Sequence, residues 1–106
     1  MNDQVIKNFV DNKIRISLYE KKNVSEVIMM LHDRVIRYDL KIKEDSSKSK
    51  YWLTHNKFAL QRISDFRYMS SKFQKYPPIK VFNLIKLKEK ILGDDIIENM
   101  IALNQA

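Results

Sequence analysis

"YDLKIKEDSSKSKYWLT", residues Tyr38 to Thr54, decides how this chain is read. Leu40 and Ile42 alternate with Lys41 and Lys43, and a period of two argues for a strand with one buried face. "EDSSKSK" is a polar turn, and Tyr51-Trp52-Leu53-Thr54 reads as the return strand. Residues 38–54 therefore predict a β-hairpin with a long, lysine-edged tip.

The elements around the hairpin follow from spacing. "NVSEVIMMLHDRVIRY" predicts a helix, with Asn23 as its cap and Glu26 three residues on able to reach back to the cap's N–H. Val24, Val27, Ile28, Leu31 and Val35 make its buried stripe, while Met30, Asp33, Arg34 and Arg37 point away. Earlier, Val5, Ile6, Phe9 and Val10 share one face of a short first helix that Asp11–Asn12 breaks. In "KIRISLYEK", Ile14, Ile16 and Leu18 alternate with Lys13, Arg15 and Ser17, which predicts a strand; a short helix is the rival, since Ile14 and Leu18 are also four apart. After the hairpin, Thr54 or Asn56 starts a long helix to about Lys75, with Ala59, Ile63, Phe66 and Phe73 inward. Pro77 ends it, because the residue before a proline avoids helical geometry. A helix over about Ile79 to Leu92 is closed by Gly93, with a strand at "LIKLKEK" as the lesser alternative. Asp94 opens a last helix, with Ile96, Ile97, Met100, Ile101 and Leu103 on a broad apolar face. The expected fold is α+β and mostly helical, in one domain over residues 1–106.

Composition bounds the function. The 106 residues suit one domain, and a 44% hydrophobic share is too high for a disordered chain. Cysteine is absent, which excludes disulfides, thiolate metal sites and a cysteine nucleophile, and suits a reducing compartment. No apolar run approaches the roughly 18–20 residues of a membrane span, and the opening residues lack a signal peptide's apolar stretch. A cytoplasmic protein is expected. The net charge of +7 is unevenly spread: residues 1–50 carry +3, residues 51–90 carry +7, and residues 91–106 carry −3. A concentrated basic region attracts polyanions. The bland alternative is a solvated face that keeps the protein soluble, and 15 Lys to 5 Arg is also what an AT-rich genome produces.

Tyr51-Trp52-Leu53-Thr54, followed by His55-Asn56-Lys57-Phe58-Ala59-Leu60, resembles the winged helix-turn-helix transcription regulators. In that family a Y-x-L-T strand leads, through a glycine, into a helix opening on Ala-Leu. Leu53, Thr54, Ala59 and Leu60 match; the tyrosine is one place early or replaced by Trp52, and Lys57 stands at the glycine position. The resemblance covers about residues 13–64. It implies a winged-helix-like domain: a helix-turn-helix plus wing in 1–56, a recognition helix from Asn23 to Arg37, a wing over 38–54, and C-terminal helices in 57–106 that serve as a dimerisation arm.

The function this suggests is a small basic DNA-binding regulator, working as a dimer on duplex DNA rather than RNA. Arg34, Arg37, Lys41, Lys43, Lys48, Lys50 and Lys57 are the candidate nucleic-acid contacts, the lysines meeting phosphates, which position a protein without specifying sequence. A second route to nucleic acid interleaves Trp52, Phe58, Tyr68 and Phe73 with Lys57, Arg62, Arg67, Lys72 and Lys75 as a stacking platform. The alternative class is a protein-binding inhibitor, adaptor or immunity protein of a phage or mobile element, covering a host protein's acidic surface. No catalytic set, metal site or cofactor loop is read. His32 and His55 lack metal-ligand spacing, a single Gly cannot build a phosphate loop, and Asp94–Asp95 is a helix start.

Overall fold

In the computed structural model of the chain, residues 3–92 are described, and every regular element among them is helical. The order is α1 (Asp3–Tyr19), α2 (Val24–Glu44), a 3-10 turn (Ser46–Lys48), α3 (Ser49–Lys72) and α4 (Pro78–Leu92). The expected α+β fold with a β-hairpin is thereby overturned: 38–54 is the end of one helix, a tight turn and the start of the next. The last helix expected from Asp94 lies outside the described residues.

Local chemistry explains the difference. No Gly or Pro occurs between Met1 and Tyr76, so nothing in the backbone forbids long helices. The buried positions of α2 are Val27, Leu31 and Tyr38. They continue the helical register through the segment where four residues happen to alternate. At the α2–α3 joint, Asp45 stops one helix and opens the next turn. Its carboxylate accepts from the Ser47 N–H at 3.1 Å and the Ser47 hydroxyl at 2.6 Å. That hydroxyl, the leading cause, holds the Asp45 carboxyl below its ordinary range. Thr54 is no cap. It sits inside α3, and its hydroxyl donates to the Lys50 carbonyl one turn back at 2.9 Å, an interaction open to Thr within a helix.

Residues 13–19 are helical too. Asp11 does not break α1; it lies inside the helix, buried and ion-paired to Arg62 of α3. The helix ends instead in a paired carbonyl cap: Lys21 N–H bonds Leu18 O at 3.0 Å and Lys22 N–H bonds Ser17 O at 3.2 Å. This places Lys21 at φ 62, where glycine is usual. Asn23 then caps α2 as its position predicts, its side chain accepting from the Glu26 N–H at 2.9 Å.

Residues up to Ile63 gather in one compact unit and residues from Ser64 in a second. In the first, α1, α2 and the start of α3 meet pairwise. Asp11 pairs with Arg62, Ser17 donates to the Met30 sulfur, and Asn56 donates to Asp39 at 2.6 Å. Its core holds Ile6, Val10, Ile14, Leu18, Val27, Leu31, Tyr38, Phe58, Ala59 and Ile63. Each large aliphatic among them contributes about 1.5–3 kcal/mol on burial. Arg62 is 1% exposed and Asp11 2%, so this pair is wholly desolvated. Arg62 Nε meets Asp11 Oδ1 at 2.7 Å and Nη2 meets Oδ2 at 2.9 Å, a two-pronged fit of planar fork to carboxylate. In the second unit, Phe66 and Phe82 stack with centroids 6.0 Å apart beside buried Met69, Val81 and Ile85. Pro78 opens α4 at the one position where its missing N–H costs nothing.

Removing one partner of a buried ion pair strands the other charge, so Asp11→Ala and Arg62→Ala are each expected to cost about 3–5 kcal/mol in urea unfolding. The Asp11→Leu/Arg62→Met double variant should cost clearly less than the sum of the two alanine variants. Lys21→Gly should raise stability by about 0.5–1 kcal/mol, because glycine fits the left-handed position without Cβ strain.

Candidate functional site

Six of the seven predicted contact residues are solvent-facing in the first unit. Arg37, Lys41 and Lys43 lie on the C-terminal half of α2, Lys48 on the 3-10 turn, and Lys50 and Lys57 on the first turns of α3. The turn reverses the chain between α2 and α3, so these cations collect around one end of a helical hairpin rather than along a β-ribbon. Acidic side chains in the same stretch are partly engaged: Asp39 accepts from Asn56, and Asp45 is held by Ser47.

Arg34 differs. It is half-buried, and its Nε is buried without a hydrogen-bond partner. Its charge is felt by His55, which is 2% exposed and whose two ring nitrogens also lack hydrogen-bond partners. Rings enclose that imidazole, with centroids at 4.6 Å for Tyr51, 5.0 Å for Tyr38, 5.3 Å for Trp52 and 5.6 Å for Phe9. Burial, and then the Arg34 guanidinium, lower the His55 pKa from its ordinary 6.5. A histidine so enclosed is a neutral packing group under the hairpin end, not an accessible acid or base.

The same rings tether part of the basic surface. Trp52 stacks on Tyr38 with centroids 5.3 Å apart, and Lys41 Nζ lies 5.1 Å from the Trp52 centroid. Lys57 Nζ stands 5.6 Å from the Phe58 ring. Such cation–π contacts are worth about 0.5–1 kcal/mol at exposed sites, enough to favour one side-chain direction and leave the charge in water. A cleft of about 300 Å³ opens beside the turn, lined by Asp3, Ile6, Ser47, Lys48, Lys50, Tyr51 and Thr54.

The stacking platform expected from Trp52 to Lys75 does not assemble. Phe58 and Arg62 are buried, and Arg62 is the partner of Asp11. The outward residues of the first turns of α2 are Ser25, Glu26, Met29 and Asp33, which offer no cation to a base edge. Two groups escaped the sequence reading: the ring enclosure of His55, and the exposed apolar residues Ile36, Leu40, Leu53 and Leu60 beside the lysines. Tyr51 and His55 are four apart, a helical signal hidden by reading 51–54 as a strand. No helix among the described residues is long and apolar enough to cross a membrane. Comparison with protein-family models, curated proteins and solved structures finds no match to this chain.

The folded state holds His55 at a lower pKa than the unfolded chain, so the unfolded chain takes up the proton first as pH falls. Stability should be complete above about pH 6.5 and decline below it, down to the lowered folded pKa. The His55→Phe variant should lose most of that decline between pH 7 and 5 in urea titrations; an unchanged slope would place its origin elsewhere.

Proposed function

We propose that this chain is a basic binding protein, not an enzyme, that engages duplex DNA through the α2–α3 hairpin end. The observation that carries this is the gathering of Arg37, Lys41, Lys43, Lys48, Lys50 and Lys57, all exposed, around one turn. Such a cluster releases condensed counterions when it meets phosphates, and that release drives sequence-independent affinity. Contacts of this kind position the protein on the backbone, and the poor base-reading set at the start of α2 fits a mode that reads shape and charge more than sequence. The cysteine-free composition supports placing the protein in the cytoplasm, and a regulatory role there is the reading we adopt.

A second reading has one observation in its favour. Leu40, Leu53 and Leu60 are about half exposed among the same lysines. Apolar side chains between cations suit an acidic protein surface better than a phosphate track, as in an inhibitor or adaptor that covers a host protein.

Fluorescence anisotropy with short duplexes across a salt series separates the two. Duplex binding should weaken steeply with salt, with a log–log slope that falls by about two for the Lys43→Glu/Lys50→Glu variant. The Lys72→Glu/Lys75→Glu variant should retain most of the affinity. The opposite ranking would move the contact surface to the end of α3. Salt-insensitive or absent duplex binding, with a tight complex to one acidic host protein, would favour the second reading.

A further inference from the structure

The outward face of α2 carries a row the DNA-binding reading does not use. Met29 is 68% exposed, Ile36 59% and Leu40 54%. At intervals of seven and four residues these three fall on one stripe of the helix, opposite buried Val27, Leu31 and Tyr38. On α3, buried Asn56 donates to Asp39 at 2.6 Å, which ties the two helices at that point. Leu60 and Leu53 stand one turn to either side of Asn56 on α3 and are about half exposed. Exposed apolar side chains recurring at the α2 spacing are what one helix presents to another in a packed seam.

The charges on this row identify its occupant. Asp33 lies between Met29 and Ile36, and Arg37 lies between Ile36 and Leu40. Asp33 and Arg37 are four residues apart on one helix, yet they form no ion pair with each other or with another described residue. The row is therefore neither uniformly basic nor uniformly acidic. When α2 is laid antiparallel on a second α2 about a two-fold axis near residue 35, Met29 falls opposite Leu40 of the second copy. Asp33 falls opposite its Arg37. Symmetry repeats each pairing, as a two-fold interface requires. A one-signed acidic partner would leave Asp33 against like charge; a second copy satisfies it.

We propose that the protein self-associates through this face as an antiparallel two-fold dimer, with Met29, Ile36 and Leu40 as its apolar seam and Asp33–Arg37 as reciprocal charge pairs. The dimer takes one residue from the DNA-binding reading, Arg37, and leaves Lys41, Lys43, Lys48, Lys50 and Lys57 to meet phosphates; its surface lies opposite the buried positions of α2, and it needs no ligand. It also places two basic hairpin ends at opposite ends of the α2 pair. With a rise of 1.5 Å per residue, those ends lie about 30 Å apart, close to the 34 Å turn of B-form DNA.

Sedimentation equilibrium on the full chain, cleared of nucleic acid, tests this. A monomer–dimer equilibrium is expected in the micromolar range, as fits a small interface. Ile36→Glu should raise the dissociation constant at least about tenfold, as buried interface anchors do. Asp33→Arg and Arg37→Asp should each weaken the dimer, and the Asp33→Arg/Arg37→Asp double variant should recover most of the loss. Circular dichroism melts check that each variant folds. A second readout does not depend on destabilised variants. The chain has no cysteine, so a Met29→Cys/Leu40→Cys variant should oxidise to a covalent dimer. Eleven residues along one helix are too far apart for an internal bridge. A monomer at all concentrations, a dimer indifferent to Ile36→Glu, a double charge swap no tighter than its single parents, or failure of the cysteine variant to cross-link would each overturn the proposal.

Discussion

The buried pair of Asp11 and Arg62 is the constraint on which the first unit depends. It ties α1 to α3 across 51 residues of sequence and fixes both the height and the rotation of one helix against the other. A buried ion pair is not in itself a source of much net stability, since desolvation offsets most of the attraction. Its value here is discrimination. Any sliding of α1 along α3 by a turn would part the two prongs and leave a carboxylate and a guanidinium in a dry interior. Apolar residues tolerate such slippage far better, so Ile6, Val10 and Ile14 alone would specify the register weakly.

The register set by that pair has consequences at the hairpin end. Phe9 lies one turn or less from Asp11 and reaches His55, and His55 in turn is enclosed by rings from α2 and α3. Trp52, stacked on Tyr38, then carries Lys41 on its outer side. A chain of ring contacts thus runs from Phe9, two residues before Asp11 on α1, to a cation on the surface. The rigid part of the candidate site is aromatic, and the charged part is fastened to it.

Sequence reasoning recovered some of this and missed the rest for identifiable reasons. The α2 start was legible because Asn23 acts within three residues, and the α4 start, expected at about Ile79 and found at Pro78, because proline's constraint is local. The helical register of residues 38–54 was not, because a four-residue alternation of Leu40, Lys41, Ile42 and Lys43 looks the same in a strand and on the exposed flank of a helix. The winged-helix resemblance compounded this, since Leu53 and Thr54 fit a strand end as easily as a helix interior. Asp11 was misread as a helix breaker, and Arg62 as a surface contact, for one shared reason: each finds its partner far along the chain. The candidate cations were legible as a group, since lysines stay exposed in either fold. Arg34 was the exception, because its half-buried position depends on packing between helices.

The distance between Asp11 and Arg62 in sequence also imposes an order on events during synthesis. Asp11 leaves the ribosome long before Arg62 is made, so the newborn α1 carries an ionised carboxylate in the middle of its apolar stripe. Closing that stripe against α2 alone would desolvate the carboxylate before the guanidinium that matches both its oxygens exists. The seat of α1 is therefore fully matched only once Arg62 has been made, because the fork that fits the aspartate lies 51 residues downstream.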